Sequence, residues 1–325
     1  MSTLRTEQHA LVLPPEVEGL RLDQALAQVL EQYSRSMLKD WIDAGQVRLN
    51  GAPTRPRTRV AAGDRVELTA TLAAAGELAP QVIDFTVVHA DPALVVIDKP
   101  AGLVVHPGAG NPDRTLVNGL LARFPELAAL PRAGLVHRID KDTSGLLIAA
   151  RTPAAFQRLV RALARRRIHR HYLAVVNGLL VAGGTVDMPI GRDPVQRTRM
   201  RVMDGGREAV THFRVAERFR AHCLLEVELE TGRTHQIRVH LAWRGHPLVG
   251  DSRYGARPHL PPQADEALRA ALKDFGRQAL HAWQLELDHP LDGEPLAFEA
   301  PPPADFLALV AALAADRDAH EAPPP

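Results

Sequence analysis

Cysteine is almost absent from this chain: Cys223, in the apolar stretch Cys223 to Val227, is the only one in 325 residues. A lone thiol excludes an intramolecular disulfide and a thiolate metal site, and it fits a reduced compartment. Also missing is any apolar run of about eighteen residues, so no membrane span is expected. The N-terminus has no basic region followed by an apolar one, so no signal peptide is expected either, and the chain reads as a soluble cytoplasmic protein. An excess of charge of one sign is lacking too, with 39 Lys plus Arg against 38 Asp plus Glu. Affinity for a polyanion must therefore come from clustered arginines and not from net charge. No internal repeat is visible, which excludes solenoids and propellers.

What is present is enough apolar material, 46% of residues, for a sizeable core. The length exceeds that of a typical single domain and suggests a large domain with a small companion. The most information-rich stretch is Gly134 to Ala150, GLVHRIDKDTSGLLIAA. Leu146 to Ala150 has the apolar character of a short buried strand, which places His137, Arg138, Asp140, Asp142, Thr143 and Ser144 in the turn leading into it. Asp140 lies between a basic pair and a Thr-Ser-Gly turn, surrounded by cations and hydrogen-bond donors that favour and orient its ionised form. That suits a nucleophile or general base. The same cluster also suits a solvated turn in which Asp140 and Asp142 only cap backbone amides.

HRIDKDTSG resembles the HRLDxxTSG signature of the pseudouridine synthases that modify ribosomal and transfer RNA, with Ile139 in place of the usual leucine. The exchange is apolar for apolar and alters packing detail only. Further segments follow in the family's order. Asp98 to Gly110, DKPAGLVVHPGAG, is similar to its KPxGxxxHP segment and brings in Lys99 and His106 beside the site. Tyr172 to Val176 is similar to its YxAxV strand. Thr231 to Ala242, TGRTHQIRVHLA, is similar to GRxHQIRxH, and His246 to Gly255 to HPxxGDxxYG. The resemblance implies that Asp140 is the catalytic carboxylate, that Arg238 pairs with it and that Tyr172 packs against the target base, its hydroxyl available to handle a substrate proton. It implies supporting roles for His137, Arg138, Thr143, Lys99, His106 and His235.

Upstream, Leu26, Val29 and Leu30 stand at helical spacing, and Ser34-Arg35-Ser36 caps a second helix carrying Met37, Leu38, Trp41 and Ile42. Gly45 ends it, Val47 to Gly51 reads as a strand with a tight turn, and Arg65 to Thr69 as another strand. This module resembles the S4 RNA-binding domain. Arg35, Lys39 and Arg48 offer a cationic face for phosphates, and Arg165, Arg166 and Arg197 in the larger region offer another. In particular, Arg161, Arg165, Arg166, Arg167 and Arg170 accumulate before the Tyr172 strand and suggest an RNA strand track.

The expected organisation is a lead at 1–19, whose residues 1–15 are either mobile or add an edge strand, the S4-like domain at 20–70, a linker at 71–80, the synthase domain at 81–316 and a disordered tail at 317–325. Strands outnumber helices in the large domain without regular alternation, giving an α+β fold with a mostly antiparallel mixed sheet. By resemblance the chain isomerises uridine in 23S rRNA, in the helix 69 stem-loop, acting as a monomer on the rRNA or a pre-50S particle without cofactor or metal. Two other readings stand beside it: an RNA-binding assembly factor whose synthase domain is inactive, and a metal-dependent hydrolase using His106, His137, His235 and His240. The histidine spacings match no standard zinc pattern, and no cysteine joins them.

Overall fold

In the computed structural model the chain divides into two compact units, residues 1–79 and 80–325. The structure describes all residues except 1–3, 31–32, 34, 74–78, 109–110, 197, 256–258 and 322–325, together with the side chains of 4–5, 36, 71–73 and 321. Ser34, most of the expected linker, Gly110 and Arg197 therefore lie wholly or partly outside the described residues.

The first unit comprises β1 (Leu4–Val12), α1 (Leu22–Val29), α2 (Arg35–Asp43), β2 (Val47–Leu49), β3 (Ala52–Pro53) and β4 (Arg65–Ala73). Its antiparallel sheet runs β1-β4-β2-β3. Of the two readings of the lead, the edge strand is the one formed: β1 pairs with β4 along its whole length from Leu4 opposite Ala73 to Val12 opposite Arg65. Its sequence is mostly polar because an edge strand needs backbone pairing more than an apolar face. The core gathers Leu22 and Leu26 of α1, Leu38 and Ile42 of α2, and Val47 and Leu68 of the sheet. Asp23 is buried at the start of α1 and held by Arg21 and Arg35, at 3.0 and 2.7 Å.

The second unit contains β5 (Thr86–Ala90), β6 (Leu94–Lys99), α3 (Leu116–Arg123), β7 (Ser144–Ala150), α4 (Pro153–Ala164), β8 (Ile168–Asn177), β9 (Gly184–Asp187), β10 (Ile190–Arg192), β11 (Met200–Val202) and β12 (Val210–Arg218). It continues with β13 (His222–Leu229), α5 (Gln236–Trp243), α6 (Glu266–Asp274), β14 (Leu280–Asp288), β15 (Pro295–Glu299) and α7 (Ala304–Glu321). The main sheet is ordered β5-β6-β7-β14-β8-β13-β12-β9, with β15 on β14, and β10 and β11 form a separate hairpin. Among the described residues the main sheet's one parallel pairing is β7 with β14, in agreement with a mixed, mostly antiparallel α+β fold. The tail expected to be disordered from 317 is helical as far as Glu321. At its start Arg317 pairs with Glu217, next to the Asp316–Arg220 pair, so polar contacts hold α7 beyond its apolar stripe.

β7 is buried on both faces, which is why SGLLIAA lacks the alternation of a half-exposed strand. It begins at Ser144, two residues before its apolar run. Gly145 has φ of 109°, and a Cβ there would stand 2.1 Å from the Ala282 carbonyl oxygen, so only glycine permits the parallel approach of β14. Leu146, Ile148 and Ala150 pack with Leu159 of α4. This rigid central strand carries at its N-terminal end the turn that contains Asp140.

Candidate active site

The Asp140 turn is closed by a Thr143 amide donating to the Asp140 carbonyl at 3.1 Å. The Thr143 side chain is buried and accepts from Gln278 Nε2 at 3.0 Å, while Ser144 bonds to His281 Nδ1 at 2.9 Å. The Asp140 carboxylate leaves this turn mostly covered, with 16% of its side chain exposed. Arg238 Nη1 donates to its Oδ2 at 2.8 Å.

Arg238 reaches that position from α5, a helix buried on nearly all sides, Gln236 to Leu241. Gln236 fixes the start of the helix: its carbonyl oxygen accepts from Thr231 at 2.8 Å and from the Arg233 amide at 2.9 Å. Its amide group donates to the Val210 carbonyl at 2.9 Å and Thr211 at 3.0 Å, which docks the loop on β12. His235 precedes it at φ 58°, a left-handed conformation that a non-glycine residue adopts at a cost. The turn swings the imidazole towards Asp140, with Nε2 3.9 Å from Oδ1.

A second carboxylate completes the arrangement. Asp251 accepts from Arg238 Nε at 2.7 Å and Nη2 at 2.9 Å, a bidentate pair with Asp251 entirely covered. Burial alone would raise the Asp251 carboxyl, but Arg238 and the Arg253 and Tyr254 amides hold it below the usual carboxylate range. Although burial acts in the opposite sense, the two carboxylates push Arg238 further up, so it is a permanent cation. The Tyr254 ring lies under Arg238, 5.1 Å from the guanidinium carbon. Its hydroxyl bonds to His235 Nδ1 at 2.7 Å and accepts from the Met200 amide at 2.9 Å.

Asp140, Arg238 and Tyr172 line one cavity together with Arg138, Thr143 and His235. Tyr172, on β8, is buried, and this raises its hydroxyl above the ordinary tyrosine value. It is thus protonated at neutral pH and able to donate. One covered carboxylate, a permanent cation and an aromatic wall form a site suited to a flat polar ring and to attack at, or proton removal from, the atom beside it.

Residues 93–243 match the RNA pseudouridylate synthase family, and residues 20–66 match the S4 domain. Over 305 residues the chain is 53% identical to ribosomal large subunit pseudouridine synthase D of Xanthomonas campestris pv. campestris, covering 94% of this chain and 92% of that one. Over 304 residues it is 49% identical to the protein of the same name from Escherichia coli K12, covering 93% of each. The chain belongs to the RNA pseudouridylate synthase family. It is an isomerase, a pseudouridine synthase with an N-terminal S4 domain. Human RNA pseudouridylate synthase domain containing 1 is a structural neighbour, with a TM-score of 0.55, 26% identity and coverage of 71% of this chain and 89% of that one.

Other residues singled out from the synthase's sequence lie elsewhere. Lys99 is fully buried behind the turn and donates to the carbonyls of Pro100, Leu103 and Lys141 at 2.7, 2.9 and 2.8 Å. Burial pushes it down to about 7, opposed by the nearby charges of Asp142 and Asp140. It braces the Asp140 turn without reaching the cavity. His137 and His106 line a neighbouring cleft with Arg132 and Arg166. His137 Nε2 accepts from the Ile148 amide at 3.3 Å, and burial pushes its ring down to about 3. His106 is pushed down to about 4 by burial, with Arg132 and Arg138 adding to it.

The predicted RNA-contact residues are divided in the same way. Arg35 is the structural partner of Asp23, Lys39 pairs with Asp43 at 3.1 Å, and Arg48 donates to the Gly51 carbonyl at 3.1 Å. Arg166 forms ion pairs with both Glu208 and Glu230, so its charge is largely cancelled. Arg165 is exposed. Asp251 and Tyr254 belong to the HPxxGDxxYG turn, yet sequence alone assigns neither a role. The signal that points to them is the need of Arg238, buried near one carboxylate, for acceptors on its remaining N–H groups.

Proposed function

We propose that this synthase isomerises uridine in the large-subunit ribosomal RNA, in the stem-loop of helix 69, with Asp140 as the catalytic residue. The observation that carries the reading is the Asp140 carboxylate, covered yet paired with Arg238 at the wall of a cavity it shares with Tyr172. The naming of the bacterial relatives supports a large-subunit rRNA target, and the S4 domain supports RNA binding.

In the reaction the N1–C1′ bond of uridine breaks and a C5–C1′ bond forms; the C5 proton is lost and N1 gains one, so the product is an isomer. Asp140 serves either by attack on C1′ or by removal of the C2′ proton, and both routes need an ionised, aimed carboxylate. Arg238 aims the carboxylate by donating to its Oδ2 at 2.8 Å and sets a fixed cation beside it. A uridine stacked in a stem-loop has to leave the stack to meet Asp140. Tyr172 then packs against the extruded ring, and its hydroxyl is placed to handle a substrate proton.

Purified protein incubated with a 23S rRNA transcript, followed by mapping of the modified positions, tests the target. Modification within the helix 69 loop is expected. Modification confined to other positions contradicts the target, and RNA binding without conversion favours the assembly-factor reading.

A further inference from the structure

Among the arginines that follow the middle of α4, the structure separates two sets. Arg166 is tied to Glu208 and Glu230, and Arg170 is buried on β8, donating to the Leu229 and Glu230 carbonyls. Arg158, Arg161, Arg165 and Arg167 are exposed, and none forms an ion pair with a carboxylate of the described residues. Two of them are held by neutral acceptors only. Arg158 Nη1 donates to the Pro290 carbonyl at 2.8 Å and the Leu291 carbonyl at 3.1 Å, and Arg161 Nε to the Gln157 carbonyl at 3.3 Å. A guanidinium oriented by backbone carbonyls keeps its whole charge and has given up part of its freedom beforehand, which favours an incoming anion.

These four side chains line one open groove between α4 and the turn joining β14 to β15, with Asp288 as the carboxylate among its walls. The groove is not isolated. It shares Arg167 and Asp288 with a second groove, and that one shares Arg166 with the cleft beside the active site. The cleft in turn shares Arg138, Arg170, Gly232 and Arg233 with the Asp140 cavity. Neighbouring hollows therefore adjoin one another from Asp140 to the far side of α4, and the four arginines of the distal one, like Arg132, Arg138 and Arg233 at the near end, form no ion pair with a carboxylate of the described residues. Helix-end arginines also interact with the helix dipole, but that effect falls off within the last turn. Arg158 and Arg167 lie outside the last turn of α4 and share the groove all the same.

We infer that the groove of Arg158, Arg161, Arg165 and Arg167 is a second RNA site, holding the phosphate backbone of the strand that flanks the target loop. This rests on the RNA-substrate reading above and extends it beyond the reacting uridine. Charge spaced along a groove whose one ring, His289, is mostly covered and tied to Asp292 fits backbone contact and not base readout.

The test uses the full chain, the triple variant Arg161→Ala/Arg165→Ala/Arg167→Ala and the matching triple Lys variant, with two RNAs: the isolated stem-loop and a transcript extended on both sides. In the Ala variant, the Kd for the extended transcript is expected to rise about tenfold more than that for the stem-loop. The slope of log Kd against log salt should fall by about two, since each phosphate neutralised on a single strand accounts for roughly 0.7 of that slope. The Lys variant should keep most of the affinity. Unchanged affinity and slope on the extended transcript, or equal losses on both RNAs, would overturn the second site. Wild-type protein that shows the length-dependent slope yet converts no uridine would contradict the assigned reaction while supporting the groove.

Discussion

Arg238 gives two of its N–H groups to Asp251 and one to Asp140. Asp251 thereby sets the plane of the guanidinium, and the plane sets where the third donor meets Asp140. The fork is a property of arginine that lysine lacks. Arg238→Lys should leave one carboxylate unpaired and cost stability by about 3 kcal/mol, the low end for breaking a buried pair. Misplacement of Asp140 should lower kcat roughly 100-fold. Urea unfolding and single-turnover conversion measure the two effects; a Lys variant with near-normal kcat would show that the alignment does not matter.

Tyr254 joins this pair to the β10–β11 hairpin. Its ring is within 5.2 Å of the Arg199 guanidinium and 5.1 Å of that of Arg238, and its hydroxyl links the Met200 amide to His235. Tyr254→Phe keeps the ring and removes the link, leaving His235 free to turn from Asp140. A kcat loss of up to about tenfold with little change in RNA affinity is expected, comparable to the upper end for one neutral hydrogen bond. A change in affinity alone would place the residue in RNA binding instead.

The order of elements and the location of the Asp140 turn are legible in the sequence because both lie in local pattern: an apolar run bounded by a polar, glycine-closed cluster, and helical spacing in α1, α2 and α4. What is not legible depends on residues distant in sequence. β1 is polar and becomes a strand by pairing with β4. α5 has no apolar stripe, since Gln236, Arg238 and His240 are buried with it and satisfied by β12, Asp140, Asp251 and the Met188 carbonyl. No periodicity announces such a helix. The arginine run gives no sign that Arg166 is compensated while its exposed neighbours are not, because that depends on Glu208 and Glu230, 42 and 64 residues away.

Acid should weaken the fold around the site. His137 and His106 stand at about 3 and about 4 in the native state, against about 6.5 in the unfolded chain. Between those values the unfolded chain binds protons that the native state refuses, so native stability declines as pH falls from about 6.5 towards 3. Protonation also ends the acceptance by His137 of the Ile148 amide. Urea midpoints measured from pH 7 to 4 should fall, and His137→Gln should flatten part of the decline. A midpoint that stays level over this range would show that neither ring titrates with unfolding.

The most direct test of the account is conversion of uridine to pseudouridine in the helix 69 stem-loop by wild type and Asp140→Asn under single-turnover conditions, with RNA affinity measured on the same samples. Asparagine preserves the size of the side chain and an acceptor for Arg238 but carries no charge. Conversion by wild type, RNA binding by both proteins and no detectable conversion by the variant are expected. Conversion by Asp140→Asn at a rate near that of wild type would contradict the assignment of Asp140 as the catalytic carboxylate.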